Sequence, residues 1–433
     1  GDIDDIWSRG AKFKDDLIAS KNFLTSGAEI YRSYLPPRLI GLFSIIFDYE
    51  LLTYENNLTK ISIGFTKFYY LLIQSIIFYL IIFYFYKNIL HKSKDEKISF
   101  ITILFLCFCP NIFLYNSSFH TESIFFSLQL ILLSILAFPK QNFLYSFIVG
   151  IILSLLFFQK TVGVFYIIIV VLYLAFIFKK KSFKFLPVII LTYLVTLMAI
   201  GYGNYKRMGV FYFMPTQGNE AIHHYLAYNI IRDNLNLSND EISQKIINDL
   251  NTWKTENKIK NIIPKKDRLK ISQNNSIERD RLKIMKFKKD YTIELIKEYP
   301  ISTFKILIWK SLHTLILDPV YIFHYHFYEQ DLKKRPQWYL EKSYYEFWIP
   351  INIVYSILIY IIIFSGFLYS LKRLDPAFNL LLITSALYMF AMLGWVGNNR
   401  YLSPSLIYLS IYFAYGLNYF INSNLIRRVL LIK

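Results

Sequence analysis

Apolar residues in this chain come in long unbroken blocks, not in the stripes a soluble helical protein shows. Residues 63–86, 98–115, 119–138, 143–159, 161–179, 185–203, 349–371, 377–396 and 402–422 are each close to the length that crosses a bilayer as a helix, about 20 residues. Nine spans are therefore predicted. Within lipid a helix satisfies its own backbone inside one segment, so the expected fold class is an all-α polytopic membrane protein.

Two apolar stretches depart from that pattern. Residues 36–50 open on Pro36-Pro37 and carry Leu39, Ile40, Leu42, Phe43, Ile45 and Ile46. They are too short to span and are expected to lie as a helix at the membrane interface. Residues 301–317 are apolar but interrupted by Lys305, Lys310 and His313. Counting them as a span would move Lys372 and Arg373 to the other side, so an in-plane or re-entrant helix is predicted. The loop 204–348 is too long for a connector. Its polar stretch 236–300 has helical periodicity around Ile242, Ile246, Ile247 and Leu250, which predicts a small helical subdomain. Four regions result: a first outer loop over 1–62, spans over 63–203, the loop subdomain over 204–348, and C-terminal spans over 349–433.

Charge sorts the loops. Lys87, Lys92, Lys94 and Lys97 share one connection; Lys140 marks another. Lys179, Lys180, Lys181 and Lys184 crowd a third, Lys372 and Arg373 a fourth, and Arg427, Arg428 and Lys433 end the chain. With nine spans all of them fall on one side, which the positive-inside rule makes cytoplasmic. The opposite side receives 1–62, 116–122, the turn at Lys160, 204–348 and 397–401. An outer polar segment 1–62 needs an earlier span to carry it across, so a further helix ahead of Gly1 is expected. The formal net charge of +18 would suggest nucleic acid in a soluble protein. Here it reads as membrane-flanking lysine and arginine, and no nucleic-acid partner is expected. Cys107 and Cys109 stand two apart inside an apolar block, on different helix faces, as buried thiols and not as a metal site or disulfide. Abundant Ile, Lys, Asn, Phe and Tyr with little Ala suggests an AT-rich bacterial genome. The expected location is thus a bacterial inner membrane with the chemistry facing outward.

Five clusters fall on that outer side. Asp2, Asp4 and Asp5, followed by Trp7, offer carboxylates for a metal or a general base, or simply an acidic helix start. Glu122 closes the polar turn 116–122 at the mouth of a span. An ionisable group there is costly and marks a functional hypothesis, the alternative being that it reaches back to the headgroups. Lys160 is a lone cation on the side the charge rule leaves poor in cations. It calls for a partner, and an anionic lipid phosphate fits; otherwise it is a turn residue. Arg400 opens the last span, where its planar fork suits phosphate oxygens. The alternative is a headgroup anchor beside Tyr401. His223 and His224 diverge if helical, so at most one serves as a ligand; His324 and His326 are weaker candidates.

The ordered set resembles the GT-C superfamily of membrane glycosyltransferases, in particular bacterial relatives of dolichyl-phosphate-mannose protein mannosyltransferases and of lipid A aminoarabinose transferases. The opening Gly1-Asp2-Ile3-Asp4-Asp5-Ile6-Trp7-Ser8-Arg9-Gly10-Ala11 is similar to the family's first-loop acid, with Ile6 where Tyr is usual and Trp7 one place late. Tyr34-Leu35-Pro36-Pro37-Arg38-Leu39 matches the Pro-Pro approach to an interfacial helix. Glu122 matches the acid opening a span, Gln159-Lys160-Thr161 approximates a Thr-Lys element, and Arg400, Tyr401 and Pro404 match an Arg-Tyr-x-x-Pro element. The resemblance implies an inverting transfer of a sugar from a polyprenyl-phosphate donor to a glycan, lipid or protein acceptor at the outer face, often with a divalent metal. It gives Asp2 or Asp5 and Glu122 the catalytic roles, and Lys160, Arg400 and Tyr401 the lipid phosphate. Asp2, Glu122 and His223 would be the metal ligands. An O-antigen polymerase or ligase is the nearest enzyme alternative, but lacks an acid-rich first loop followed by Pro-Pro. A secondary transporter would bring charges to the bilayer midplane and show repeated halves, and the sequence has neither.

Overall fold

The structure, a computed structural model, describes residues 13–15, 17–19, 35–47, 60–116, 122–214, 217–235, 237–259, 275–317, 342–393, 396 and 402–422. Among the described residues every regular element is helical. Three runs are long and apolar enough to cross a membrane: Phe68–Ser93, Thr161–Lys206 and Phe347–Ser370. Shorter apolar helices accompany them, so this is an all-helical membrane protein. The chain divides into two compact units, Gly1–Ile63 with Leu194–Lys310, and Gly64–Tyr193 with Ser311–Lys433.

In the second unit, α2 (Lys60–Ser93) turns at Lys94, whose φ is 54°, into α3 (Glu96–Phe108), and the Asp95 carboxylate caps the new helix at Lys97 and Ile98. Pro110 cannot continue the hydrogen-bond ladder, so the block expected as one span over 98–115 breaks at Cys109 into α3 and the short α4 (Pro110–Asn116). Next come α5 (Glu122–Leu136) and α6 (Phe143–Gln159), the latter capped by Asn142 at Tyr145. A 3₁₀ turn (Thr161–Phe165) leads into α7 (Tyr166–Phe178). A second 3₁₀ turn, Lys179–Lys181, has φ of 50° at Lys179 and leads into α8 (Ser182–Met208). It folds α7 back along α8: Phe178 meets Phe185 at 6.1 Å, and the Tyr193 hydroxyl donates to Val164 O at 2.9 Å. Farther along are α14 (Lys342–Ser370), α15 (Pro376–Leu393) and α16 (Ser403–Asn422).

Side-chain contacts sort the ends of this unit. At one end Lys92 lies over the rings of Phe378 and Phe138, Lys184 over Phe143, and Arg373 over Tyr369. The turns carrying Lys94, Lys97 and Lys179–Lys181 belong to the same helix ends. At the opposite ends Ser403 Oγ donates to Asn111 O at 3.2 Å, and Lys160 meets Glu122. The basic loops thus share one end of the unit, as positive-inside sorting requires.

The first unit contains α1 (Leu35–Ile46), the helix expected at the interface over 36–50, whose buried Arg38 lies over the Phe13 ring at 5.4 Å. It also holds α9 (Gln217–Ile222), a π turn (His223–Ala227), α10 (Tyr228–Leu235), α11 (Asn239–Glu256) and α12 (Asn275–Glu298). A reciprocal Ser238–Glu241 capping box starts α11. Last is α13 (Pro300–Leu315), whose Ile306 packs with Leu226 and Ile230 and whose residues from Ser311 on belong to the second unit.

Candidate functional site

Two elements build the central feature. Glu122 opens α5, and Lys160 follows the last residue of α6 in extended backbone, with φ −147° and ψ 134°. The Lys160 N–H still closes the helix onto Leu156 O at 3.0 Å, and the Gly163 N–H then donates to Lys160 O at 2.9 Å. Glycine is needed at 163 because a Cβ there would stand 2.8 Å from the backbone of Leu156 and Phe157. The 3₁₀ turn therefore folds tightly over the end of α6 and aims the lysine across to α5. Lys160 Nζ donates to Glu122 Oε1 at 2.7 Å, with the Phe125 ring 5.8 Å away. The side chains are 13% and 0% exposed.

Lys160, for which a lipid phosphate is expected, has a carboxylate partner as well, Nζ giving one of its donors to Glu122. A buried pair of this kind holds a fixed cation and a carboxylate in contact, in surroundings that strengthen their mutual attraction.

A second, uncharged network lies deeper. Gln129 is seven residues beyond Glu122, two turns along the same face of α5. Its Nε2 donates to Pro404 O and to the Tyr408 hydroxyl, each at 3.2 Å. Tyr166 donates to Ser385 Oγ at 2.9 Å and packs against Tyr388 and Tyr408, and the Tyr388 hydroxyl donates to Val162 O. With the Ser403–Asn111 bond, these contacts pin the start of α16 onto α4 and α5. Sequence reasoning did not single out Gln129; its two-turn spacing from Glu122, as an amide inside an apolar run, was the available signal.

His223 sits in the first unit. On the π turn it is buried while His224 is exposed, so the two diverge as expected. Its Nδ1 lies 3.3 Å from Thr292 Oγ1, and its ring meets Tyr291 edge-on at 5.6 Å. Tyr291 donates to Asp249 at 2.9 Å, and Lys288 pairs with Glu220 at 3.4 Å. Burial first, then the Lys288 charge, pull the His223 pKa down to about 4, with His224 adding and Glu220 opposing. Because the folded value lies below the unfolded one, the stabilising effect is complete above about pH 6.5 and fades as pH falls toward 4. A shift of this size corresponds to roughly 3 kcal/mol. Amide protection factors across 223–235 in the full chain, that is exchange corrected for its intrinsic pH dependence, should fall between pH 6.5 and 4, and His223→Gln should flatten that dependence. Equal pH dependence in the two proteins would contradict the assignment.

Asp2, Asp4, Asp5, His120, Arg400 and Tyr401 lie outside the described residues. Among the described residues no three His, Cys, Asp or Glu side chains are grouped to hold a metal. Glu122 pairs with Lys160, and His223 Nδ1 lies against Thr292 Oγ1. Comparison with known families, characterised proteins and solved structures finds no match for this chain.

Proposed function

We propose that the protein is a glycosyltransferase that moves a sugar from a polyprenyl-phosphate donor to a glycan, lipid or protein acceptor at the outer face of a bacterial inner membrane. In this reading the nine apolar blocks are spans, the basic end of the second unit faces the cytoplasm, and the Glu122–Lys160 end faces outward. The observation that carries it is that buried ion pair, at the ends opposite the basic turns. The order of the outer-side elements, including Asp2, Pro36-Pro37, Arg400 and Tyr401, adds the resemblance to the GT-C enzymes.

The chemistry follows from charge. An acceptor oxygen attacks the sugar's anomeric carbon as the bond to the phosphate oxygen breaks. The lipid phosphodiester becomes a phosphomonoester and gains negative charge, and the acceptor hydroxyl loses its proton to a carboxylate. A lysine fixed in poorly hydrated surroundings stabilises that developing charge more than the ground state, which lowers the barrier. Glu122, in contact with Lys160, takes the acceptor proton, with Asp2 or Asp5 as the alternative base. Arg400 supplies the bidentate contact to the phosphate and Tyr401 its neighbour at the headgroup level.

Turnover at saturating donor tests the clamp. Arg400→Ala should lose roughly a hundredfold, about 3 kcal/mol. Arg400→Lys, which keeps the charge but not the fork, should lose less. If Arg400→Ala and Lys160→Gln both turn over at near-normal rates per folded molecule, the phosphate contacts assigned here are wrong.

A further inference from the structure

Helix α13 has its polarity inverted relative to a helix on a soluble surface. Its outward stripe carries Ile301, Phe304, Ile308, Trp309 and Leu312, which are 44–72% exposed. Its inward side holds Thr303, Ile306 and Thr314. A contiguous exposed apolar face of this kind marks a surface that something covers.

The far end of the helix indicates what covers it. Leu315 O accepts from the Tyr360 hydroxyl at 2.7 Å, and the Leu317 N–H donates to Ser356 Oγ at 2.8 Å. Two backbone groups at the helix end, the Leu315 carbonyl and the Leu317 N–H, are therefore satisfied by side chains of α14, with Leu317 buried, as segments in contact with hydrocarbon require. Ser356 is nine residues beyond Phe347 within the membrane-crossing run Phe347–Ser370, about 14 Å along it at the helical rise. The end of α13 thus meets α14 well inside its apolar length, nearer the Phe347 end. Around that level α14 itself turns Val354, Ile357 and Leu358 outward, as a helix in contact with lipid does. Lys305 and His313 are exposed on the same helix, and Trp309 stands among the apolar positions. Cation, tryptophan and apolar stripe together match the headgroup–acyl boundary.

We infer that α13 is a lipid-contact helix, its Ile301–Phe304–Ile308–Trp309–Leu312 stripe facing the headgroup–acyl boundary of the bilayer and its C-terminal end, held by Tyr360 and Ser356, dipping into the hydrocarbon. The occupant of the stripe is the bilayer, not a second copy or another protein. This holds whether or not the chain transfers sugar.

The test uses the full chain with Cys107 and Cys109 replaced by Ala, and single cysteines at Phe304, Ile308 or Leu312 labelled with bimane. Vesicles of phosphatidylethanolamine and phosphatidylglycerol carry it, with Gly218→Cys as the water-facing control. Each stripe probe should show a blue-shifted emission that doxyl-labelled lipid extinguishes and aqueous iodide does not, and Gly218 the reverse. Iodide quenching of the stripe probes would overturn the inference. So would shielding from both quenchers accompanied by energy transfer between copies, which would make the stripe a protein interface.

Discussion

Lys160→Met lowers the stability of the folded chain by about 3–5 kcal/mol, the range for breaking a buried pair and stranding one charge. Glu122, with no exposed side-chain surface, loses the ammonium 2.7 Å away. The double variant Glu122→Gln/Lys160→Met recovers most of that loss, because removing both partners leaves no buried charge. Reversible unfolding in detergent of the wild type, both single variants and the double variant gives the coupling energy. Single and double variants that each fall by no more than about 1 kcal/mol would mean that the pair behaves as a surface ion pair and is not buried. The same four proteins separate stability from chemistry: the double variant should fold well and still fail to turn over donor.

Gly366→Val should be the most damaging apolar change in the described spans. Helices α14 and α16 cross at Gly366 and Gly416 with backbones in contact. A Cβ on Gly366 would overlap the Tyr412 carbonyl oxygen, and one on Gly416 that of Ile362. Small residues allow such approach where lipid gives helices no hydrophobic reason to associate. The neighbouring Tyr412 hydroxyl bonds to Asn379 O at 2.9 Å, so separating the crossing also strains α15. Valine should cost at least about 3 kcal/mol and sharply reduce the folded fraction on size exclusion. Gly218→Ala, with nothing within 4 Å of the added carbon, should be neutral or gain up to about 1 kcal/mol from helix propensity. Equal melting of Gly366→Val and wild type would show that the two helices do not cross here.

Much of the helix pattern was legible because lipid-exposed helices must be apolar along their whole length. The blocks at 349–371 and 143–159 therefore reappear as the apolar run Phe347–Ser370 and α6. The break at Cys109 was legible too, from Pro110, but the count of apolar residues across 98–115 hid it. The two blocks 161–179 and 185–203 reappear as α7 and α8, separated by the Lys179–Lys181 turn with its positive φ at Lys179. Side-chain partnership was less accessible. Sequence marks Lys160 as a cation needing a partner, but Glu122 is 38 residues away and meets it only because α5 and α6 pack side by side. His223 and Thr292, 69 residues apart, join only through the packing of the π turn on α12. The tyrosines of the inner network look in sequence like any aromatic in an apolar block. Their hydroxyl partners come from other helices.

Sugar transfer itself is the claim on which the rest of the functional reading depends. Purified full-length protein, reconstituted in vesicles, would be incubated with a panel of polyprenyl-phosphate sugars, and the free polyprenyl phosphate measured by mass spectrometry over time. At least one donor should be consumed, by transfer or by slow hydrolysis, and the double variant Glu122→Gln/Lys160→Met should abolish that release while keeping the wild-type elution profile. Release from no donor in the panel, or undiminished release by the double variant, would contradict the account.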